Sequence, residues 1–143
     1  MNQWNNDRVI QLETAKLASE KGFDLTVQAS YDLHYTQDSQ KHYILDFNPQ
    51  YPPRNHNQFG ESRYSAPTQT LLHKWLREKY DLCVYVIPRF DGIDHAQYFC
   101  HYEIYHPGDT ESIDVNGDGS YDYEEALELG LLYRYFTDSF LYF

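Results

Sequence analysis

The clearest candidate for a ligand-binding motif lies between Asp114 and Glu125, in the stretch Asp-Val-Asn-Gly-Asp-Gly-Ser-Tyr-Asp-Tyr-Glu-Glu. Oxygen-bearing side chains stand at positions 1, 3, 5, 9 and 12 of this stretch, and a glycine stands at position 6. Calcium prefers about six to eight hard oxygen ligands, and this spacing is that of a calcium-binding loop. The stretch therefore predicts a Ca²⁺ site.

The spacing also assigns a role to each ligand. The predicted ligands are the side chains of Asp114, Asn116 and Asp118, the backbone carbonyl of Ser120, Asp122 directly or through water, and both carboxylate oxygens of Glu125. Gly119 permits the sharp turn that wraps the chain around the ion. Because no second loop is present to cooperate with it, such a site would stabilise the structure and would not act as a sensor.

A second interpretation explains the same residues without a metal ion. Asp122 and Glu125 have the spacing of a helix capping box, and Asn116-Gly117-Asp118-Gly119 is a turn between polar residues. Position 8 is Tyr121 instead of an aliphatic residue, and His106-Pro-Gly-Asp109 excludes an incoming helix. The sequence leaves open a single strand–loop–helix calcium site or a turn followed by a helix cap.

Zinc binding and catalysis have weaker support. The densest group of zinc-ligand residues is His95, Cys100, His101 and His106, but it contains no Cys-x₂-Cys or His-x₃-His pair. Adjacent residues of a strand, such as Cys100 and His101, point to opposite faces. The chain also lacks a Gly-x-Ser-x-Gly motif, a phosphate-binding glycine loop and a metalloprotease helix motif. We predict no enzymatic activity and no catalytic residue.

The net charge of −11 is unevenly distributed. Residues 1–89 carry ten acids and ten bases, whereas eleven acids and no Lys or Arg lie between Arg89 and Arg134. Because phosphate binding needs a basic face, we predict no direct phosphate contact with nucleic acid. A cation or a basic protein surface is the predicted partner of the acidic half. The fifteen tyrosines exceed what one core needs, which suits a binding surface.

Location is predicted from three further features. No apolar run approaches the roughly 18 residues needed to span a bilayer. The segment Met1–Asp7 is polar and lacks the charged and apolar regions of a secretory signal. The two cysteines, Cys83 and Cys100, are too few for a disulfide framework. We therefore predict a cytoplasmic protein without membrane contact.

The elements that would position the acidic stretch follow from the periodicity of the apolar residues. The predicted helices and strands are helices over 7–22, 67–80 and 123–136 and strands over 25–34, 41–47, 82–88 and 97–105. Residues 48–66, rich in Pro and Asn, predict a long polar loop. The strand 82–88 is apolar on both faces and is predicted to be central in its sheet.

The order helix, hairpin, helix, hairpin, helix favours an α+β fold. We predict a single domain over residues 1–143. Its mostly antiparallel sheet would have about four strands in two hairpins, with three helices packed on one face.

Three stretches point to a family resemblance. They are Leu12-Glu-Thr-Ala-Lys-Leu-Ala18 with Glu20-Lys-Gly-Phe23, Pro67-Thr-Gln69 with Leu71-Leu72 and Lys74-Trp-Leu-Arg-Glu78, and Tyr123-Glu-Glu-Ala-Leu-Glu128 with Gly130-Leu131. Together they resemble a group of small uncharacterised proteins of phages, prophages and mobile elements of gut bacteria. The stretch from Asp114 to Glu125 in turn resembles an EF-hand calcium loop. The first resemblance implies a cytoplasmic bacterial or phage setting and carries no activity or cofactor. We predict a non-enzymatic binding or accessory protein.

Overall fold

The fold combines α-helices with antiparallel β-sheets, so the predicted α+β class is confirmed. A computed structural model of the chain describes residues 8–90, 98–105, 113–115 and 123–141. Contacts within the chain define two compact units, Met1–Gln69 (unit 1) and Thr70–Phe143 (unit 2). The single domain over residues 1–143 stays a prediction.

The strands of the described residues form two three-stranded antiparallel sheets, ordered β2-β1-β3 and β4-β5-β6. In chain order the elements are α1 (Leu12–Glu20), β1 (Ala29–Tyr35), β2 (Lys41–Phe47), a 3-10 segment (His56–Ser62), β3 (Arg63–Ser65), α2 (Gln69–Tyr80), β4 (Cys83–Phe90), β5 (Tyr98–Tyr105), β6 (Ile113–Val115) and α3 (Tyr123–Leu141). The predicted strand count and order, and the single sheet, are not confirmed. The two unexpected strands, β3 and β6, have three residues each, which is too short to show a period of two.

Helix α1 begins later than the predicted helix over 7–22. Val9, which lies within the predicted helix over 7–22, instead pairs with Thr68 in an antiparallel bridge. Main-chain hydrogen bonds of 3.0 and 2.8 Å flank this bridge. Because these bonds hold the backbone extended, the helix starts only at Leu12.

Helices α1 and α2 both end at a residue in the left-handed region. Gly22 follows α1 with φ 91°, and Asp81 follows α2 with φ 58°. The N–H of the following residue donates to a carbonyl of the helix. Phe23 donates to Ala18 at 2.9 Å after α1, and Leu82 donates to Leu76 at 3.3 Å after α2. Glycine adopts this conformation without steric cost, so the predicted stop at Gly22 is confirmed.

Strands β1 and β2 form a hairpin whose seven register pairs run without a bulge from Ala29↔Phe47 to Tyr35↔Lys41. The turn is closed by the N–H of Thr36, which donates to the carbonyl of Gln40 at 2.9 Å. Strand β2 has the predicted bounds, but its apolar face is not covered. Six of its seven residues are exposed, and only Tyr43 is half-buried.

In unit 2, α3 packs on β4 and β5. Among the described strands, β5 lies between β4 and β6, so the central position predicted for 82–88 is not confirmed. Pro88 lies within β4, and proline suits an edge strand because it cannot donate to a ladder. In α2, the helix predicted over 67–80, Leu72, Trp75 and Leu76 are buried. Among the described helices, none has the length and apolar character to cross a membrane.

Candidate functional site

Two of the predicted calcium ligands lie in described elements. Asp114 is the middle residue of β6, at the register position opposite Glu103 of β5. Glu125 is exposed in the first turn of α3. Outside the described residues lie the other four predicted ligands, Asn116, Asp118, Ser120 and Asp122. The structure therefore describes the strand that contains Asp114 and the helix that contains Glu125, and the Ca²⁺ site stays a prediction.

The disfavoured zinc group is only partly described. Cys100 and His101 are neighbours in β5, whereas His95 and His106 lie outside the described residues. In the described ranges, no three His, Cys, Asp or Glu side chains converge as metal ligands do. Cys83 is a buried free thiol.

A polar cleft of about 230 Å³ lies on one face of the sheet of unit 1. The register places Ser30 opposite Asp46, and Asp32 opposite Arg63. Because side chains alternate along a strand, these residues share a face. The cleft is lined by Gln28, Ser30, Asp46, Asn48, Tyr51, Pro52, Arg54, His56 and Arg63.

One wall of the cleft is the irregular segment that follows β2. The Asn48 side-chain oxygen accepts the N–H of Gln50 at 3.0 Å, and the Asn48 carbonyl accepts the N–H of Tyr51 at 3.3 Å. At the other end of the segment, Arg54 and Val27 exchange two main-chain hydrogen bonds of 3.1 and 3.0 Å. Hydrogen bonds thus fix the wall at both ends.

The side chain of Asn57 anchors the 3-10 segment beside the cleft. Its Nδ2 donates to the carbonyl of Phe23, and its Oδ1 accepts the N–H of Ser65, both at 2.8 Å. The Ser65 hydroxyl in turn accepts the N–H of His56 at 2.9 Å. Residues 48–66, predicted to be a long polar loop, therefore contain a hydrogen-bonded segment that positions His56.

His56 lines the cleft, and the residue is only 7% exposed. Its Nε2 lies 3.1 Å from the carbonyl oxygen of Val27. Because a carbonyl only accepts, Nε2 carries the hydrogen and Nδ1 presents a lone pair. This Nδ1 is buried and has no hydrogen-bond partner in the part of the chain that is described. Burial lowers the pKa of His56, which favours the neutral ring.

Charged groups surround this imidazole. Within the described residues, the guanidinium of Arg54 and the carboxylate of Asp46 make no hydrogen bond or ion pair. The Nε of Arg63 lies 3.8 Å from the carboxylate of Asp32, which also accepts the hydroxyl of Ser30 at 2.7 Å. The Arg63 side chain is 40% exposed, so this long ion pair holds it weakly. The cleft offers two cations, one carboxylate and one neutral acceptor.

This arrangement suits a small ligand with two kinds of polar group. A carboxylate or phosphate matches the fork of donors on Arg54 and Arg63. An N–H or O–H group matches Nδ1 of His56, since a buried acceptor without a donor costs roughly 1–3 kcal/mol. The geometry therefore favours recognition of an anion that also carries a hydrogen-bond donor.

The cleft residues belong to no motif that can be recognised in the sequence. One feature of the sequence could have indicated this part of the cleft, namely the asparagine content of residues 48–66. Asparagine side chains close turns and hydrogen-bond to the main chain. Such residues indicate an ordered segment more than a free loop.

Comparison of the chain with protein-family models, with curated proteins and with solved structures gave no match.

Proposed function

We propose that the chain is a non-enzymatic binding protein of a phage or mobile element, acting in the cytoplasm, with the cleft of unit 1 as its recognition site. The observation that carries the proposal is the buried Nδ1 of His56, which has no partner among the described residues. Two arginines line the same cleft, as does the carboxylate of Asp46, which has no hydrogen bond or ion pair within the described ranges.

The chemistry of the cleft supports binding better than catalysis. The hydroxyl of Ser30 donates to Asp32 at 2.7 Å, so its proton is already engaged. The Nε2 of His56 is engaged with the carbonyl of Val27 at 3.1 Å. These groups are held in hydrogen bonds that fix their positions, which is what selective binding requires. The proposed ligand class is a small carboxylate or phosphate that also carries an N–H or O–H group.

Thermal unfolding in the presence of defined probes tests the proposal. Acetate, glycine and inorganic phosphate are compared at equal ionic strength, and a ligand of the folded state raises the melting temperature. Glycine, which has both a carboxylate and N–H donors, should raise it more than acetate does. Arg54→Gln should remove the rise, whereas Arg8→Gln, a matched change at an exposed arginine outside the cleft, should leave it intact.

Two outcomes would overturn the cleft as a binding site. One is that none of the probes raises the melting temperature at millimolar concentration. The other is that the rise is the same in Arg54→Gln and in the wild type, because the probe would then bind elsewhere.

A basic protein surface is proposed as the macromolecular partner of the acidic half. Eleven acids without a Lys or Arg between Arg89 and Arg134 support this proposal. A basic partner captured from host lysate at low salt should be lost as salt screens the attraction. Capture that is insensitive to salt, or no capture at low salt, would count against this partner.

Calcium binding at residues 114–125 is the alternative function, and the spacing of the acidic residues supports it. Added Ca²⁺ should raise the melting temperature, and Na⁺ at the same ionic strength should not. Asp114→Ala should abolish the rise, while Asp24→Ala, at an exposed position in unit 1, should preserve it. An unchanged melting temperature at millimolar Ca²⁺ would exclude this function.

A further inference from the structure

Strand β2 is an outer strand with an exposed edge. Among the described strands it pairs only with β1, and the pairing is continuous over seven residues. Its apolar side chains are exposed on both faces: Ile44 by 45% on one face, and Leu45 by 46% and Phe47 by 61% on the other. Monomeric proteins usually protect such edges with proline, a bulge or central charges, and the centre of β2 has none of these.

The hairpin turn determines which backbone groups of β2 face this edge. The N–H of Thr36 donates to the carbonyl of Gln40, so these two residues form a hydrogen-bonded pair of the ladder. Such pairs recur at every second position of an antiparallel ladder. The even-numbered residues of β2 therefore bond to β1. The N–H and C=O groups that point outward belong to Lys41, Tyr43, Leu45 and Phe47.

We propose that a second copy of the chain pairs with this edge, β2 antiparallel to β2, about a two-fold axis at Ile44. In this register Tyr43 bonds to Leu45 of the second copy, and Lys41 bonds to Phe47 of the second copy. All outward N–H and C=O groups then find partners. A register shifted by two positions in either direction leaves one end of the strand unpaired.

The side chains of β2 are complementary to themselves in this register. His42 lies opposite Asp46 of the second copy, and Ile44 lies opposite Ile44. Both are positions where the backbones are not hydrogen-bonded and the side chains come closest. Among the described residues the carboxylate of Asp46 has no hydrogen bond or ion pair, so it is free to accept from the imidazole. Opposite partners across a strand pair stabilise it, and this contact occurs twice.

The charge of unit 1 does not oppose such pairing. Residues 8–69 carry seven acids and six bases, whereas the whole excess of acids in the chain lies after residue 89. A seven-residue edge is small beside interfaces that bury roughly 1,200–2,000 Å². We therefore expect a dimer that dissociates on dilution.

Mass measurement in solution is the first test. Light scattering or sedimentation of the full chain should show a concentration-dependent rise from 17.1 kDa towards twice that mass. Leu45→Lys should hold the chain at the monomer mass, because it sets two like charges near the axis. Leu25→Lys is the matched control, since Leu25 is a comparably exposed leucine (37%) outside β2, and it should dimerise like the wild type. A monomer at all concentrations would overturn the proposal, as would equal dimerisation of the two variants.

Mixing two charge variants tests the register. His42→Asp places carboxylates opposite each other, and Asp46→Lys places an amine opposite the imidazole, so each variant alone should dimerise on the order of tenfold or more weakly. In a dimer of one copy of each variant, the new carboxylate at position 42 lies opposite the new amine at position 46. At the other contact, Asp46 of the first variant lies opposite His42 of the second, as in the wild type. An equimolar mixture should therefore dimerise. Failure of the mixture to dimerise, with both variants folded by circular dichroism, would refute this register. Because the readout is mass, the result is separate from ligand binding in the cleft.

Discussion

Removing the side chain of Asn57 tests whether residues 48–66 are held by side-chain hydrogen bonds. Asn57→Ala removes two hydrogen bonds of 2.8 Å, one to the carbonyl of Phe23 and one from the N–H of Ser65. An unpaired buried polar group costs roughly 1–3 kcal/mol, and both contacts are part-buried, so we expect a loss of about 2–4 kcal/mol. For a chain of this size that corresponds to a fall in melting temperature of about 6–12 °C.

Circular dichroism gives the melting temperature, and amide hydrogen exchange locates the damage. Exchange at Ser65 should accelerate in Asn57→Ala, because its N–H loses the acceptor. Asn57→Asp should also destabilise the protein, since a carboxylate oxygen would face the carbonyl of Phe23. Gln58→Ala is the control at an exposed neighbouring position and should change the free energy of unfolding by less than about 0.5 kcal/mol. If Asn57→Ala behaves like this control, the anchoring role of Asn57 is refuted.

Further predictions concern the helix ends and the buried histidines. Gly22→Ala should lower the free energy of unfolding by about 1 kcal/mol, and Asp81→Gly should raise it by about 0.5 kcal/mol, because both positions have a left-handed backbone that favours glycine. Urea unfolding measures both changes. If the two variants change the free energy of unfolding in the same direction, this explanation is wrong. Burial lowers the folded-state pKa of His56 and His73 below 6.5, so the unfolded chain binds more protons and stability should fall as the pH drops through 6.5. His73→Phe should flatten this fall. The same substitution should also lower the free energy of unfolding by about 1–3 kcal/mol at neutral pH, because the N–H of Val84 loses its acceptor at 3.0 Å. If neither the pH dependence of stability nor the stability itself changes, His73 has neither role.

The sequence predicts elements best where the apolar period is long and local. Strand β2 has the predicted bounds, and α2 begins two residues after its predicted start, because Pro67 precedes the first full turn. The predictions of helices and strands fail where segments that are distant in the chain pair with each other. Val9 is extended because it meets Thr68, and nothing in the residues around Val9 indicates that partner. The central position of β5 likewise depends on the three-residue strand β6.

The cleft could not be predicted from the sequence, because it too depends on the pairing of distant segments. Its side chains come from β1, the end of β2, the segment after β2, the 3-10 segment and β3, so no local spacing contains them. The orphan nitrogen of His56 arises only when Val27 engages the other nitrogen of the ring. The calcium-type spacing at Asp114–Glu125, by contrast, is contained in a single stretch and can be read directly from the sequence.

Strand β1 has one neighbour that is close in the chain and one that is distant, and this has a kinetic consequence. Its pairing with β2 needs only the turn at 36–40, and isolated hairpins form in about 1–10 μs. Its pairing with β3 must first close a loop that contains all of β2 and the 3-10 segment. We therefore expect the hairpin to be formed in the transition state for folding and β3 to dock after it. A turn substitution such as Ser39→Val, at a residue with φ 62°, should slow folding in stopped-flow measurements. A substitution that weakens β3 should mainly accelerate unfolding.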